Sequence, residues 1–142
     1  MTNAAQELRD LVDERVRAVH SKDLAPLAAQ LADDVVAFNV LPPLQLHGPA
    51  EVIEQTKAWF GSYPGPIGYE VEQFSAHASG DAGFRSFVYH VTGELADGNQ
   101  VDMWVRATLG WRRIDGAWCI VHDHESVPFD PATGAAQLSL KP

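Results

Sequence analysis

Four long β-prone runs joined by two-residue turn signals fill the second half of the chain and leave few architectures open. They are Tyr69 to His77, Phe84 to Leu95, Gln100 to Arg113 and Trp118 to Val127, separated by Gly80-Asp81, Asp97-Gly98 and Asp115-Gly116. Asp-Gly between alternating runs favours a tight hairpin, because both central residues of a type I′ turn take positive φ. The spacing predicts an antiparallel meander.

The first half has a helical period. Leu8, Leu11, Val12, Val16 and Val19 recur on one face of a segment from Ala5 to His20, with charged residues around the rest of the wheel. Asp23 caps a second, shorter helix whose buried stripe is Leu24, Leu27, Ala28 and Leu31, and Asp33-Asp34 ends it. Val35 to Val40 reads as a first strand stopped by Pro42-Pro43, which supplies no ladder N–H groups. Gly48-Pro49 opens a third helix with Val52, Ile53, Thr56, Trp59 and Phe60 on one face, and the Gly- and Pro-rich stretch Gly61 to Gly68 closes it. Helices followed by a meander define an α+β domain with the helices laid on one face of the sheet. The expected domain covers residues 1–130, and 131–142 form a loosely held tail.

A chain of 142 residues fits one core. No apolar run approaches the roughly 18 residues that a membrane span needs. The formal net charge of -9 repels phosphate backbones and anionic lipid, so neither nucleic acid nor a membrane is an expected partner. A lone cysteine, Cys119, rules out an internal disulfide, and the N-terminal MTNAAQELRDLV lacks the pattern of a signal peptide, which points to a cytoplasmic protein.

The chemistry-bearing stretch is VHDHESVPFD, from Val121 to Asp130. Counting back from an Asp115-Gly116 turn pairs Leu109 with His122, Ala107 with His124 and Arg106 with Glu125. Uninterrupted alternation then turns His122 and His124 inward with Ala107 and Leu109. It leaves Arg106, Asp123 and Glu125 as an outer charge cluster, unless a bulge re-aims Glu125. A metal centre on His122 and His124 lacks a third ligand, which His90 or His77 would have to supply from another strand; no metal or other cofactor is assigned. Histidines near neutral pKa with a carboxylate beside them suit proton transfer on a carbonyl or hydroxyl substrate, and they equally suit ordinary hydrogen bonding at the edge of a core.

The stretches HSKDLAPLAAQLADDVVAF, Gly48 to Phe60 and WRRIDGAWCIVHDHESVP together resemble the NTF2-like superfamily, especially SnoaL-like proteins and the association domain of calcium/calmodulin-dependent kinase. The resemblance implies a cone-shaped α+β barrel in which a strongly curved antiparallel sheet wraps the N-terminal helices, leaves a pocket open at one end and pairs with a second copy through the sheet. It implies no single activity, since isomerases, cyclases, dehydratases and non-catalytic hubs share the architecture. Asn39 and Arg15 stand where ketosteroid isomerases have their general-base aspartate and first-helix tyrosine, and Leu109 falls near the oxyanion-stabilising acid, so that apparatus does not carry over. His90, Leu109 and Glu125 fall where the kinase hub has pocket arginines.

The sites expected from these readings are His90, His122, His124 and Glu125 for acid/base work, and Phe38, Asn39, Trp59, Phe60 and Tyr63 as ligand wall. Trp104 and Arg106 are expected at a homodimer face. Two functions stay open: a cofactor-free isomerase, cyclase or dehydratase acting on a hydrophobic hydroxy or keto compound, and a non-enzymatic ligand-binding or dimerisation module.

Overall fold

The structure, a computed structural model, describes residues 3–142; the first two residues of the expected domain, and of the stretch read for a leader, lie outside it. Helix α1 (Ala4–Ser21) starts where the Asn3 side chain accepts from the Ala5 amide at 2.9 Å and stops at Lys22, whose φ of 54° ends the helical ladder. Asp23 caps α2 (Leu24–Ala29) as its sequence position predicts. That helix is shorter than expected. The Gln30 carbonyl accepts the Ile120 amide at 2.7 Å and draws the chain into the sheet, so Leu31 and Asp33-Asp34 belong to β1 (Leu31–Phe38) and not to the helix. A two-residue strand, β2 (Leu46–His47), has no counterpart in the sequence reading, and α3 (Gly48–Gly61) follows with Pro49 in its first turn.

The meander is β3 (Gly68–Ser79), β4 (Ala82–Glu94), β5 (Gln100–Ile114) and β6 (Ala117–Ser126). Asp115 and Gly116 take φ of 51° and 84°, the positive pair that a tight hairpin demands, and Ile114 faces Ala117 across it. Strand order is β2-β1-β6-β5-β4-β3. All pairings are antiparallel except β1 with β6, which run parallel and make the sheet mixed.

Two irregularities bend the sheet. In β3 the register slips between Glu72 and Ser75, where Gln73 takes a φ of 55°. In β6 Trp111 faces Ile120 while the neighbouring Gly110 faces His122, so Val121 is one residue more than β5 has to match it. Such bulges deepen twist and change which residues face inward. The open sheet thus wraps the helices as the α+β cone expected from the sequence. Leu8, Val12 and Val19 of α1 share a core with Leu109, Trp111 and Ile120 of the sheet and Phe60 of α3.

Gly93 packs closely against the α3 exit. A Cβ there would stand 2.8 Å from the Tyr63 ring and 3.3 Å from the Pro66 carbonyl, whereas one at Gly61 meets nothing within 4 Å. Gly93→Ala is expected to destabilise the fold by about 1–3 kcal/mol through overpacking, and Gly61→Ala to leave it unchanged or slightly more stable. Urea unfolding of the two variants beside the parent checks both.

Candidate functional site

The helices and the inner sheet face enclose a cavity of about 420 Å³. Leu27 of α2, Val52, Ile53 and Trp59 of α3, and Met103 and Ile120 of the sheet give it a mainly apolar wall. Its polar end is Arg15, Tyr69, Tyr89, Asp123 and Glu125.

Asp123 and Glu125 face inward because Val121 is inserted ahead of them. Beyond that residue the pairs are Leu109 with Asp123, Ala107 with Glu125 and Arg106 with Ser126. Uninterrupted alternation would have exchanged the faces; the bulge keeps both carboxyls on the side of Trp118 and Ile120, with exposures of only 7% and 8%. The bulge-dependent placement of Glu125 is therefore the one adopted, and Asp123 joins it. The expected outer cluster of Arg106, Asp123 and Glu125 does not form, and Arg106 Nε instead donates to Ser126 Oγ at 3.3 Å.

His122 and His124 are corrected for the same reason. His122 lies on the opposite face, where its Nδ1 bonds the Val36 carbonyl at 2.8 Å, and its ring packs edge-on against Phe38 at 4.7 Å. His124 is exposed beyond it, 5.5 Å from the same ring. Phe38 is consequently no part of the cavity wall. His90 is also outside: its Nε2 meets Asp102 Oδ1 at 2.5 Å and its ring stacks on Trp104 at 4.4 Å. Among the expected wall residues, Trp59 and Tyr63 line the cavity, and Phe60 is buried in the core beside it. Asn39 stands at the rim, where its Nδ2 donates to Gln55 Oε1 and Gln55 Nε2 donates to the Pro42 carbonyl at 3.0 Å. Among the described residues no three His, Cys, Asp or Glu side chains converge on a metal position.

The polar end is wired through Glu125. Its Oε1 accepts from the Tyr89 hydroxyl at 2.5 Å and its Oε2 from Arg15 Nη2 at 3.4 Å. Arg15 Nε donates to the Tyr69 hydroxyl at 3.1 Å, and the Tyr69 ring stacks on Tyr89 at 4.7 Å. Burial works against the Arg15 cation, but Tyr69 and Glu125 outweigh it and hold its pKa above the ordinary range. Burial and the neighbouring Glu125 push the Tyr89 hydroxyl well up, so it remains a donor. Asp123 is the distinctive group. Burial first, and then the charge of Glu125 and a hydrogen bond with it, raise the Asp123 carboxyl well above the usual carboxylate range, while its Oδ1 has no partner. The pair thus combines a carboxyl that holds its proton to higher pH than usual with a neighbour whose two oxygens accept from Tyr89 and Arg15.

Sequence reasoning passed over Arg15, Tyr69, Tyr89 and Asp123 as pocket residues. Parity offered a signal for Tyr69 and Tyr89, which face inward together, but no local feature reports the bulge that turns Asp123.

The fold is thus a curved α+β cone enclosing a mainly apolar chamber with a cluster of titratable side chains at one end. A family model described as the SnoaL-like domain matches residues 8–130, and the chain belongs to that family. It is similar in structure to an NTF2-like protein of unknown function from Pseudomonas putida, with 33% identity, TM-score 0.89 and coverage of 98% of this chain and 96% of that one. The fold is shared with a putative calcium/calmodulin-dependent kinase II association domain from Xanthomonas campestris, at 18% identity, TM-score 0.75 and 88% of each chain. It is shared too with a putative dehydratase of the NTF2-like family from Streptomyces avermitilis, at 18% identity, TM-score 0.73, over 85% of this chain and 93% of that one. Among curated proteins none matches the sequence.

A carboxyl whose pKa is raised on folding contributes stability below its unfolded pKa near 4 and loses that contribution as pH rises through its folded value. Asp123 is such a group, so it makes the fold progressively less stable from about pH 4 upward. Asp123→Asn removes the titration: relative to wild type, the variant is expected to gain about 1 kcal/mol or more between pH 4 and pH 8. Urea unfolding across that range measures the difference, and parallel curves for the two proteins would count against a raised carboxyl.

Proposed function

We propose that this SnoaL-like protein is a cofactor-free acid/base enzyme acting on a neutral, mainly apolar hydroxy or keto compound, with Asp123 and Glu125 as its reacting groups. The observation that carries this reading is the buried carboxyl pair at the polar end of an apolar cavity. The only cation lining that end among the described residues, Arg15, is already engaged by Glu125 and Tyr69, which disfavours an anionic carboxylate ligand.

In a dehydration the Asp123 carboxyl delivers its proton to the departing hydroxyl oxygen while Glu125 takes a proton from the adjacent carbon. In an isomerisation the same two transfers turn a keto compound into its enol, after which Glu125 gives its proton to a different carbon and Asp123 recovers its own from the enol oxygen. Electrons move only within the substrate. Elimination releases water and leaves the proton on Glu125, and transfer between the two neighbouring carboxyls returns it to Asp123. Tyr89 and Arg15 hold Glu125 in place throughout, and the apolar wall limits competing water.

A thermal-shift screen of hydrophobic hydroxy and keto compounds supplies candidate substrates. With one that turns over, Asp123→Asn and Glu125→Gln are each expected to lower kcat/KM about a hundredfold or more. His90→Ala, His122→Ala and His124→Ala are expected to stay within about tenfold of wild type. Loss of activity in a histidine variant with both carboxyl variants active would defeat the assignment.

The outer sheet face carries the proposed homodimer contact. There Trp104 is half-buried with its indole N–H unpartnered, His90 stacks on it, and Arg106 lies exposed nearby. Light scattering is expected to give twice the mass of the 15.5 kDa chain for the wild type and a monomer for Trp104→Glu; a wild type that stays monomeric at all micromolar concentrations would exclude the contact.

A further inference from the structure

Arg85 has no exposed surface, an unusual position for a guanidinium on a sheet. Its parity explains the placement: Phe87, Tyr89 and Val91 of β4 face the interior, so Arg85 must face it too, and Phe84 points out at 48% exposure. What holds it there is neutral. Nη1 donates to the Leu8 carbonyl of α1 at 3.0 Å, and the guanidinium carbon stands 4.5 Å over the Trp111 ring and 5.6 Å over Phe87. Nε and Nη2 have no acceptor among the described residues, and no carboxylate there lies within ion-pair distance. A backbone carbonyl and two ring faces fix the group without cancelling its charge.

The register aims that charge. Arg85 faces Leu109 on β5, and Leu109 faces Asp123 on β6; the next rung runs Phe87, Ala107, Glu125. Two strand spacings, roughly 10 Å, separate the Arg85 and Asp123 backbones, and the intervening side chain is a leucine with no exposed surface. Little water is available to screen the interaction. Burial pulls the Arg85 pKa down to about 9, with Arg15 adding to the fall and Tyr69, Asp123 and Glu125 opposing it, so the cation persists at neutral pH. The other groups facing the carboxyl pair are Arg15 from α1, Tyr69 from β3 and Tyr89 from β4, while β5 offers only Val105, Ala107 and Leu109 along these rungs. His20 of α1 reaches only the Tyr69 carbonyl.

We propose that Arg85 is a positioning residue for the carboxyl pair: a fixed interior cation, left unneutralised by its own contacts, whose field limits how tightly Asp123 holds its proton and so leaves that proton transferable. The proposal rests on reading Asp123 and Glu125 as the reacting pair. Arg85 itself touches no substrate. A guanidinium suits the task because a buried lysine gives up its charge far more readily.

The experiment is a carbon-13 NMR titration of the Asp123 and Glu125 carboxyl carbons in wild type, Arg85→Met and Arg85→Gln, with no ligand present. Methionine fills the space without charge, and glutamine keeps a donor for the Leu8 carbonyl, so one covers for the other if either fails to fold. Each folded variant is expected to raise the Asp123 midpoint by about half a pH unit or more, with its amide spectrum otherwise preserved. A midpoint within about 0.2 unit of wild type in a folded variant would reduce Arg85 to a packing residue and overturn the proposal. Because the titration needs no substrate, it is separable from the catalytic reading: a shifted midpoint together with fully active Asp123→Asn keeps the role of Arg85 and removes the reaction assigned to the pair.

Discussion

Two carboxyl groups on one strand face have been taken out of water together, and the desolvation cost of that placement sets requirements for every residue around them. A lone buried carboxylate is expensive, and two adjacent ones repel each other. The site answers in two ways: Glu125 receives Tyr89 and Arg15, and Asp123 holds its proton to higher pH than an ordinary carboxyl. Arg15 in turn needs the Tyr69 hydroxyl, and Tyr69 needs the flank of Tyr89 on which it stacks. Helix α1 and three strands are thereby committed to one hydrogen-bonded cluster at the end of the apolar cavity.

That cluster exists because the closing strand carries one residue more than its neighbour. Val121 shifts the pairing of β6 against β5 by one, and in the same step the parallel partner β1 is brought to face His122, Asp123 and His124. The imidazoles then take up contacts with Val36 and Phe38 on the far side of the sheet. Strand alternation already sets the histidines of His-x-His and the acids interleaved with them on opposite faces, and this one backbone irregularity decides that the acids are the set turned inward.

Features governed by local stereochemistry were legible in the sequence. Asp115-Gly116 forces its hairpin because the turn needs two positive φ values, and Asp23 starts a helix because its side chain reaches a free amide two residues on. The helical stripe of α1 and the inward face of β5 followed from periodicity alone. What failed depends on partners distant in sequence. Nothing in valine chemistry calls for a bulge at position 121, and the end of α2 is set by Ile120 reaching the Gln30 carbonyl from the other end of the chain. Arg85 beside Phe84 inverts the hydropathy expected of an inner face, and it becomes intelligible only once its rung through Leu109 to Asp123 is known.

The final strand stops at Ser126, opposite Arg106, while β5 continues back to Gln100. The backbone from Gln100 to Val105 would there face open solvent on one side, a free edge of the kind that recruits a stray strand from another molecule. The tail meets part of that edge: it turns through Asp130 to Ala136, and its Leu138 carbonyl takes the Trp104 amide at 2.9 Å. The tail therefore covers that edge at Trp104, where a carbonyl of the same chain takes the amide that a stray strand would otherwise claim.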